Sequence, residues 1–533
     1  MTTDAKETTQ HTAKAVGRGG MAVLGAKVFF IVIGFLQQTL LPRAIGLAGY
    51  GALSRVLAIS NIVNNVIVTS STQGVSRAVS GARGHEPEAL RAALRMHVPL
   101  ALGIAAVFAL AAPTVARFDG APHIIAPLRA AALIVAIYGT YAPLVGSLNG
   151  RGLFTRQAAL DTVFATLRTA GLLGVGWWFE THWGQGALGA TLGFVAAAAL
   201  ILPLAVKWAG LGRALPTTGA PLLTVPTAST YLPAIAQLAL AQFFTNVLMQ
   251  SDITLLGRFL SFSAVSSGLE GHAAVKSADE WVAVYRACQL FAFLPYQLVL
   301  SITQILFPMV ARAHAEGDRA SVRLYVGRGA RLAAIACGLF VAVVAALPGS
   351  VLGFAYGGIV AERGEGTLRV LALGQGAFTL FGVAMTVLAS LGKERISATL
   401  SFIAVVCVAV ACWSTARIAP YGEAQLRATA IATSGSLFLA LGAGAFAVRA
   451  FAGSFVPLAT GARVLAGVAA AVLVGMSQPR FGRLMTPLAA IAVAAVYLFV
   501  LLVTRELSGD DARLVLSLAG RKSKVKTTPP PPR

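Results

Sequence analysis

The sequence has few charged residues for its length, and this scarcity excludes an ordinary soluble protein. Only 12% of its 533 residues are Asp, Glu, Lys or Arg, whereas 57% are hydrophobic, and the mean hydropathy is +0.76. A soluble globular protein carries about 25% charged residues. We therefore expect lipid to be the solvent for most of this chain.

Other features are scarce or missing as well. The four cysteines lie in apolar segments without CxxC or metal-ligand spacing, so we expect neither a disulfide framework nor a metal site. No P-loop motif occurs, so ATP is not expected to act on this chain, and no cofactor is predicted. The polar first 20 residues lack the apolar core of a signal peptide, and the long apolar run that follows is predicted to be a first membrane helix.

Hydropathy predicts an all-α integral membrane protein with about 14 transmembrane helices, at about 20 apolar residues per crossing. The predicted helices are 18–41, 48–73, 96–116, 123–148, 157–179, 186–207, 229–257, 281–310, 329–354, 367–391, 396–416, 424–448, 459–477 and 483–504. The longest connections, of roughly twenty residues, are too short for a catalytic domain outside the membrane. Any chemistry is therefore expected inside the helix bundle.

The chain carries a net charge of +22, which the positive-inside rule explains without nucleic acid. With the N-terminus in the cytoplasm, alternate loops place about 27 of the 42 Lys and Arg inside and about 9 outside. This bias predicts a multi-pass protein of the bacterial cytoplasmic membrane with both termini cytoplasmic. The basic, Pro-rich tail from residue 505 onward is expected to fix topology or to touch anionic headgroups.

Two halves of the chain resemble each other. Tyr50 to Arg55 and Trp281 to Arg286 both have an aromatic residue, an alanine two positions later and an arginine five positions later, and each opens a predicted helix. A basic loop follows both helices. Two repeats in parallel orientation around a central cavity are typical of alternating-access transporters. The predicted units are an N-terminus 1–17, an N-lobe 18–207, a linker 208–228, a C-lobe 229–448, helices 13 and 14 at 459–504 and a tail 505–533.

Ionisable residues inside membrane helices are costly and normally face a cavity or a partner. Five cations and two acids occur in the apolar segments: Lys27, Arg55, Arg129, Arg168 and Arg286, against Asp161 and Asp252. This excess of cations predicts a cavity that attracts an anion such as phosphate, which arginine can bind in bidentate fashion.

Helical spacing groups polar residues with these cations. On predicted helix 8, Arg286, Gln289 and Gln297 share one face at 100° per residue. Gln38 aligns with Lys27 on helix 1, and Gln73 aligns with Arg55 on helix 2. Lys27, Arg55, Arg286, Gln289 and Gln297 are therefore predicted to bind substrate, with Arg168, Gln38, Gln73 and Arg129 as further cavity residues.

Each of these residues also has a simpler interpretation. Arg55 and Arg286 lie near helix ends and could extend their charges to the interface, and Arg129 lies near a helix start. Arg168 and Asp161 could form a structural network. Asp252 could bind a coupling Na⁺ or H⁺, or it could neutralise a neighbouring arginine.

Several segments resemble one family of membrane transporters: GLAGYGALSRV (46–56), STQGVSRAVS (71–80), SDITLLGRFL (251–260) and LASLGKERIS (388–397). With the duplicated halves, they resemble the polysaccharide-exporter and lipid II flippase branch of the multidrug/oligosaccharidyl-lipid/polysaccharide (MOP) superfamily, particularly the Wzx-like and spore-cortex-type exporters. The resemblance covers about residues 15–450. Lipid II flippases usually have more than one arginine on helix 1, whereas this helix has one interior lysine, Lys27.

The resemblance implies a flippase that exports a polyprenyl-pyrophosphate-linked oligosaccharide, bound through basic residues on helices 1, 2 and 8: here Lys27, Arg55 and Arg286. It implies a monomer that is not an enzyme, driven by membrane potential, with Na⁺ or H⁺ coupling left open. The expected partners are undecaprenyl-pyrophosphate-linked glycan, the bilayer and glycan polymerase or assembly proteins, but no nucleic acid. A drug or organic-cation antiporter of the same superfamily and a membrane-embedded glycan polymerase or ligase remain as alternatives.

Overall fold

The computed structural model describes residues 3–82, 84–211, 228–478 and 480–507, and the described part is helical. Most of the linker predicted at 208–228 and most of the tail predicted at 505–533 lie outside the described residues. The helices are α1 (Thr3–Gly81), α2 (Glu86–Phe118), α3 (Ile125–Gly150), α4 (Phe154–Trp183), α5 (Gly186–Ala209), α6 (Ala228–Ser266), α7 (Gly271–Ala292), α8 (Leu294–Ala315), α9 (Arg319–Ala346), α10 (Pro348–Ala355), α11 (Gly358–Ser390), α12 (Glu394–Ile418), α13 (Glu423–Ala452), α14 (Leu458–Met476) and α15 (Thr486–Val503).

The helix α1 contains the first two predicted membrane helices. By length and composition, 13 described helical segments could cross a membrane, and the longest is the 53-residue segment Phe29–Gly81. At 1.5 Å per residue this segment is about 80 Å long, more than twice the ~30 Å hydrocarbon core. It bends at Gly46, whose φ of 71° and ψ of 165° are not helical. Counted as two crossings, α1 brings the total to the 14 that hydropathy predicts.

The helices form two lobes with the same internal packing. In the N-lobe (α1–α5), α3 packs against α2 and α5, and α4 packs against α5. In the C-lobe (α6–α13), α11 packs in the same way against α9 and α13, and α12 packs against α13. The two pseudo-symmetric six-crossing lobes are therefore confirmed, and they meet where α1 packs against α6 and α7.

Two predicted helices are interrupted in the structure. The eighth predicted crossing consists of α7, which already begins at Gly271, and α8, separated at Phe293. The ninth ends at Ala346, and the short α10 follows it. Pro348 lies at the start of α10, where a missing backbone N–H is tolerated. Hydropathy alone did not reveal these breaks, because the apolar pattern continues through both.

The connections lie at two opposite ends of the bundle. One end, called the lock end below, carries the connections α2–α3, α4–α5, α6–α7, α9–α11 and α12–α13. The other, called the basic end, carries the connections α1–α2, α3–α4, α8–α9, α11–α12 and α13–α14. Positive-φ glycines terminate helices at both ends, as is common where a chain leaves a helix.

Helices α14 and α15 are attached to the C-lobe at the basic end through one carboxylate. Glu506, 2% exposed, follows α15 and accepts hydrogen bonds from Arg331 Nε of α9 (2.7 Å) and Arg463 Nη1 of α14 (2.8 Å). The hydroxyl of Thr460 donates to the same carboxylate at 2.8 Å. Burial opposes ionisation of Glu506, but these donors lower the pKa of its carboxyl below the ordinary value of 4.5. Its ionised form therefore joins three helices.

We predict that Glu506→Gln lowers the melting temperature of the purified protein at neutral pH. A hydrogen bond to a charged group contributes about 1.5–3 kcal/mol, and the substitution removes the charge that three side-chain donors contact. Because the pKa is lower in the folded state, this contribution is present above pH 4.5 and is lost as the pH falls through the folded-state value. The difference from wild type should therefore shrink in acid.

Thermal unfolding in detergent at several pH values would measure this effect. Glu362→Gln is the matched control, since Glu362 is 69% exposed and its ion pair with Arg480 is long, at 3.9 Å. It should change stability little, because exposed pairs contribute about 0–1 kcal/mol. Equal melting temperatures for Glu506→Gln and wild type at neutral pH would contradict the proposed role of Glu506.

Candidate functional site

An arginine buried between the two lobes is the centre of the site. Arg55, on the second part of α1, is 2% exposed. Its Nη1 lies 2.9 Å from Asp119 Oδ2, beyond the end of α2, and its Nε lies 2.8 Å from Asp279 Oδ1 on α7. Its Nη2 donates to Ser261 Oγ of α6 at 3.0 Å. One N-lobe guanidinium therefore holds two C-lobe helices.

Further contacts surround this ion pair at the lock end. His123 Nε2 lies 2.8 Å from the other oxygen of Asp279, which ties α7 to the short turn before α3. Arg43 Nη2 donates to the carbonyl oxygen of Ala355 at 3.1 Å, again between lobes. We call Arg55, Asp119, His123, Ser261 and Asp279 the interlobe lock. Removing one partner of a buried ion pair is strongly destabilising, because the remaining charge is left buried and uncompensated.

Two glycines make room for the lock. A Cβ atom on Gly51 would lie 1.8 Å from the backbone oxygen of Asp279, so α1 and α7 can approach this closely only at glycine. A Cβ atom on Gly257 of α6 would lie 2.9 Å from Arg55 Nη1. These glycines bring the backbones close enough for the short side chain of Asp279 to reach the guanidinium.

A second polar cluster lies within the C-lobe. Asp252 of α6 is 1% exposed and accepts hydrogen bonds from Tyr285 Oη at 2.8 Å and Gln289 Nε2 at 2.9 Å. The side-chain oxygen of Gln289 in turn accepts from Arg286 Nη1 at 3.2 Å. Gln289 thus separates the guanidinium from the carboxylate, and the structure joins three predicted site residues, Asp252, Arg286 and Gln289, in one chain of hydrogen bonds.

The N-lobe approaches this cluster through Tyr50. The Tyr50 hydroxyl donates to Gln38 Oε1 at 2.9 Å, and Tyr50 lies within electrostatic range of Arg286. Its ring centroid is 6.3 Å from that of Tyr356, which follows α10. Gln38 and Arg286 therefore lie on facing surfaces of the two lobes.

The repeat equivalents Arg55 and Arg286 have different partners. Arg55 is neutralised by two carboxylates, whereas Arg286 donates its hydrogen bond to an uncharged amide. Arg286 is also half-buried rather than sealed from water. Among the described contacts, the guanidinium of Arg286 is therefore not paired directly with a carboxylate.

Arg168 of α4 is a further cation inside the bundle, and it is half-buried. Its guanidinium carbon lies 5.1 Å from the ring centroid of Phe30 and 5.6 Å from that of Phe194. Its Nε makes no hydrogen bond with the described residues. Arg168 is thus stabilised by aromatic rings of helices α1 and α5.

The remaining predicted site residues lie apart from these clusters. Arg129 on α3 and Gln73 near the basic end of α1 are exposed. Gln297 is exposed on α8, beyond the break at Phe293 that interrupts the predicted stripe of helix 8. Lys27 belongs to α1, but its side chain lies outside the described part of the structure. The roles of these four residues stay predictions.

Sequence reasoning missed the partners of Arg55. Asp119 and His123 lie in a short connection between crossings, and a search of the apolar segments does not reach them. Asp279 and Glu280 precede the eighth predicted helix, and in the structure they contact Arg55 and Arg363, respectively. The available signal was their position, since Asp119 and Asp279 lie just outside the predicted helices 96–116 and 281–310.

The lobes are also joined toward the basic end. His97 of α2 lies between Ser71 Oγ of α1 and Tyr231 Oη of α6, at 3.1 Å from each. Nearer the middle of the bundle, Asn65 Nδ2 donates to Asn246 Oδ1 at 2.8 Å. These interlobe contacts are hydrogen bonds between neutral amide and hydroxyl groups and one imidazole, in contrast to the ion pairs of the lock.

No protein-family model matches the chain, and no curated protein sequence matches it. Solved structures do match. A lipid II flippase, MurJ, in an inward closed conformation has a TM-score of 0.67 at 13% identity, over 91% of this chain and 99% of that one. An inward-facing multidrug resistance MATE family transporter of the MOP superfamily has a TM-score of 0.60 at 16% identity, over 81% and 98%.

A third match is a MOP superfamily transporter from Pyrococcus furiosus, described as having a binding pocket of reverse polarity that suggests a different function. Its TM-score is 0.56 at 17% identity, over 83% of this chain and 96% of that one. At these identities the likeness lies in the fold. The chain therefore has the fold of MOP superfamily transporters, as the resemblance in sequence implied.

We predict that removing both lock carboxylates, by Asp119→Asn with Asp279→Asn, opens the lock end. Arg55 would then be buried without a counter-charge, which costs about 3–5 kcal/mol, and separation of the lobes would return it to water. Ala58, 1% exposed and packed against α6 and α7 one turn from Arg55, gives a reporter. In a background with the native cysteines replaced, Ala58→Cys should react at least tenfold faster with an impermeant maleimide.

Glu280→Gln is the matched control. Glu280 is adjacent to Asp279 in sequence, but its ion pair with Arg363, at 3.4 Å, stays within the C-lobe. The Ala58→Cys reporter should react with maleimide at the same rate in this control as in the protein with the unaltered lock. A doubly neutralised lock that labels no faster than the control would show that the ion pairs do not hold the lobes together.

Gly51→Ala should open the same end without altering any charge. Alanine favours helix over glycine by about 1 kcal/mol, yet its Cβ would overlap the Asp279 carbonyl oxygen. The lobes must therefore move apart there, and labelling of the Ala58→Cys reporter should rise. Gly49→Ala is the control, because its Cβ would make ordinary contact at 3.4 Å with the Ile45 side chain; equal rates in both variants would contradict a tight approach at Gly51.

Proposed function

We propose that this protein is an alternating-access flippase that exports a polyprenyl-pyrophosphate-linked oligosaccharide across the cytoplasmic membrane. The observation that carries the proposal is the unequal pairing of the repeat-related arginines: two carboxylates neutralise Arg55, while Arg286 contacts an amide. A transporter of anions needs one cation free to bind and a second that can be released. The fold of MOP superfamily transporters supports this mechanism.

In the proposed cycle, the pyrophosphate first binds Arg286 and Lys27, with Gln297 as a neutral donor, while Gln289 positions the guanidinium of Arg286. Arg168 adds a further cation that aromatic rings, rather than a carboxylate, stabilise among the described contacts. The sugars occupy the space between the lobes, and the lipid tail stays in the bilayer. No bond is made or broken.

The lock supplies the opposing state. A pyrophosphate competes with Asp119 and Asp279 for Arg55, because phosphate oxygens bind a guanidinium in the same bidentate geometry as carboxylates. When Arg55 turns to the substrate, the carboxylates lose their partner and repel each other. The lobes then separate at the lock end, which the distribution of basic residues assigns to the cell exterior.

The membrane potential is a sufficient driving force. Moving one charge across 100 mV changes the free energy by about 2.3 kcal/mol, so a substrate with two negative charges gains about 4–5 kcal/mol on leaving a negative-inside cell. Asp252 could add coupling to H⁺ or Na⁺, since its carboxylate contacts Tyr285 and Gln289 rather than a cation.

An organic-cation antiporter is the second candidate, because multidrug resistance transporters share the fold. A cationic drug requires acidic or aromatic groups in the cavity. Asp252 is connected to Arg286 through Gln289, and its oxygens already accept hydrogen bonds from Tyr285 and Gln289. The charge of the cavity residues therefore favours an anionic substrate.

Arg286→Ala should reduce flipping at least tenfold at unchanged protein level. Loss of hydrogen bonds to a charged group costs about 1.5–3 kcal/mol, and about 1.4 kcal/mol is a factor of ten. Arg286→Lys should be intermediate, because lysine keeps the charge without the planar fork. Proteoliposomes with a fluorescent polyprenyl-pyrophosphate saccharide, quenched by an impermeant reductant, would measure flipping.

Arg427→Ala, at an exposed position on α13, is the control and should flip normally. Native mass spectrometry of the same proteins adds a binding readout: a lipid-linked glycan should co-purify with wild type and be lost from Arg286→Ala. Binding of cationic dyes with no flipping of the saccharide would instead support the antiporter.

A further inference from the structure

An apolar groove opens on the membrane face of the C-lobe, away from the lock and the Arg286 cluster. Helices α13 and α14 do not pack side by side, and α9 and α11 form the floor between them. The groove has a volume of about 520 Å³. Its lining is almost entirely aliphatic, with small residues such as Gly338, Gly376 and Gly461 along its length.

The groove extends over one leaflet. On α13 its lining runs from Arg449 back to Phe438, and on α14 from Leu458 to Val468. Ten or eleven residues of helix measure about 15–17 Å, which is about half of the ~30 Å hydrocarbon core. Since the groove starts at the connection 453–457, it covers the leaflet at the basic end and stops near the bilayer centre.

Basic side chains surround the mouth of the groove. Arg449, in the last turn of α13, lines it and donates one hydrogen bond to the carbonyl oxygen of Val456 at 2.8 Å. Arg323 of α9 reaches the same connection, with its Cδ 3.8 Å from the position of a Cβ on Gly453. Lys393 lies 5.1 Å from the ring centroid of Phe451. All three cations are exposed, at the depth where lipid headgroups lie.

We propose that this groove binds one acyl chain of an anionic glycerophospholipid from the basic-end leaflet, with its phosphate on Arg449, Arg323 and Lys393. A methylene group is about the size of a water molecule, ~30 Å³. The groove therefore holds about 17 methylene groups, which is close to the number in one phospholipid acyl chain. A polyprenyl chain of a lipid-linked sugar would extend well past the bilayer centre, where the groove ends. The positive charge at the mouth also disfavours occupation of the groove by the basic C-terminal tail of the protein itself.

Gly461 gives a variant that fills the groove without disturbing the fold. A Cβ atom there would have no neighbour within 4 Å, although the residue lines the groove. Gly461→Leu should therefore occupy the space of the acyl chain, and leucine also favours helix over glycine. Gly442→Leu is the matched control, because a Cβ there likewise meets nothing within 4 Å but the residue does not line the groove.

The test is native mass spectrometry of delipidated protein titrated with phosphatidylglycerol or phosphatidylcholine of identical chains. We expect tight binding of one phosphatidylglycerol by wild type and Gly442→Leu, and at least tenfold weaker binding by Gly461→Leu. Arg449→Gln with Arg323→Gln should abolish the preference for phosphatidylglycerol over phosphatidylcholine.

Three outcomes would overturn the proposal. Equal phosphatidylglycerol binding by Gly461→Leu and Gly442→Leu would show that the lipid lies elsewhere. Equal binding of both phospholipids by wild type would remove the role of the basic mouth. Loss of a co-purified polyprenyl lipid from Gly461→Leu, with phosphatidylglycerol unaffected, would assign the groove to the tail of the transported lipid.

Discussion

The arrangement of the two lobes depends on a charge that cannot be left alone in a medium of low dielectric constant. Arg55 is almost completely buried, and its attraction to Asp119 and Asp279 offsets the cost of removing it from water. Because Asp279 belongs to the other lobe, its part of this compensation exists only while the lobes are in contact. The electrostatics of one side chain are thereby coupled to the separation of two six-crossing units.

The backbone around the lock is consistent with this constraint. An aspartate side chain is short, so the pair requires α1 and α7 to approach more closely than side chains normally allow, and Gly51 permits this. Toward the basic end the lobes meet instead through His97, Tyr231 and an asparagine pair. Neutral hydrogen bonds cost less to exchange for water than a buried ion pair does. The two ends therefore resist separation by different means, which agrees with the proposal that they open in turn.

The sequence predicted the fold well because each crossing must bury its own backbone polar groups in lipid, which leaves long apolar runs in the sequence. The break at Gly46 was predicted, because it lies between the predicted helices 18–41 and 48–73. The break at Phe293 was not, because the apolar pattern continues through it. Internal repetition of the segments Tyr50–Arg55 and Trp281–Arg286 predicted the two lobes, although Tyr50 follows the break at Gly46 closely while Trp281 lies well inside α7, which begins at Gly271.

The site was only partly predictable, for a physical reason. A cation in an apolar run is conspicuous in sequence, and Arg55, Arg168, Arg286 and Asp252 were all identified in this way. Their partners are not conspicuous, because a counter-charge can come from any neighbouring connection, as Asp119 and Asp279 do. Pairing decides what a buried arginine can do: a guanidinium held by two carboxylates stabilises an interface, and one held by an amide can still receive an anion. Two arginines that a sequence repeat relates can therefore have different partners, and the sequence alone does not distinguish them.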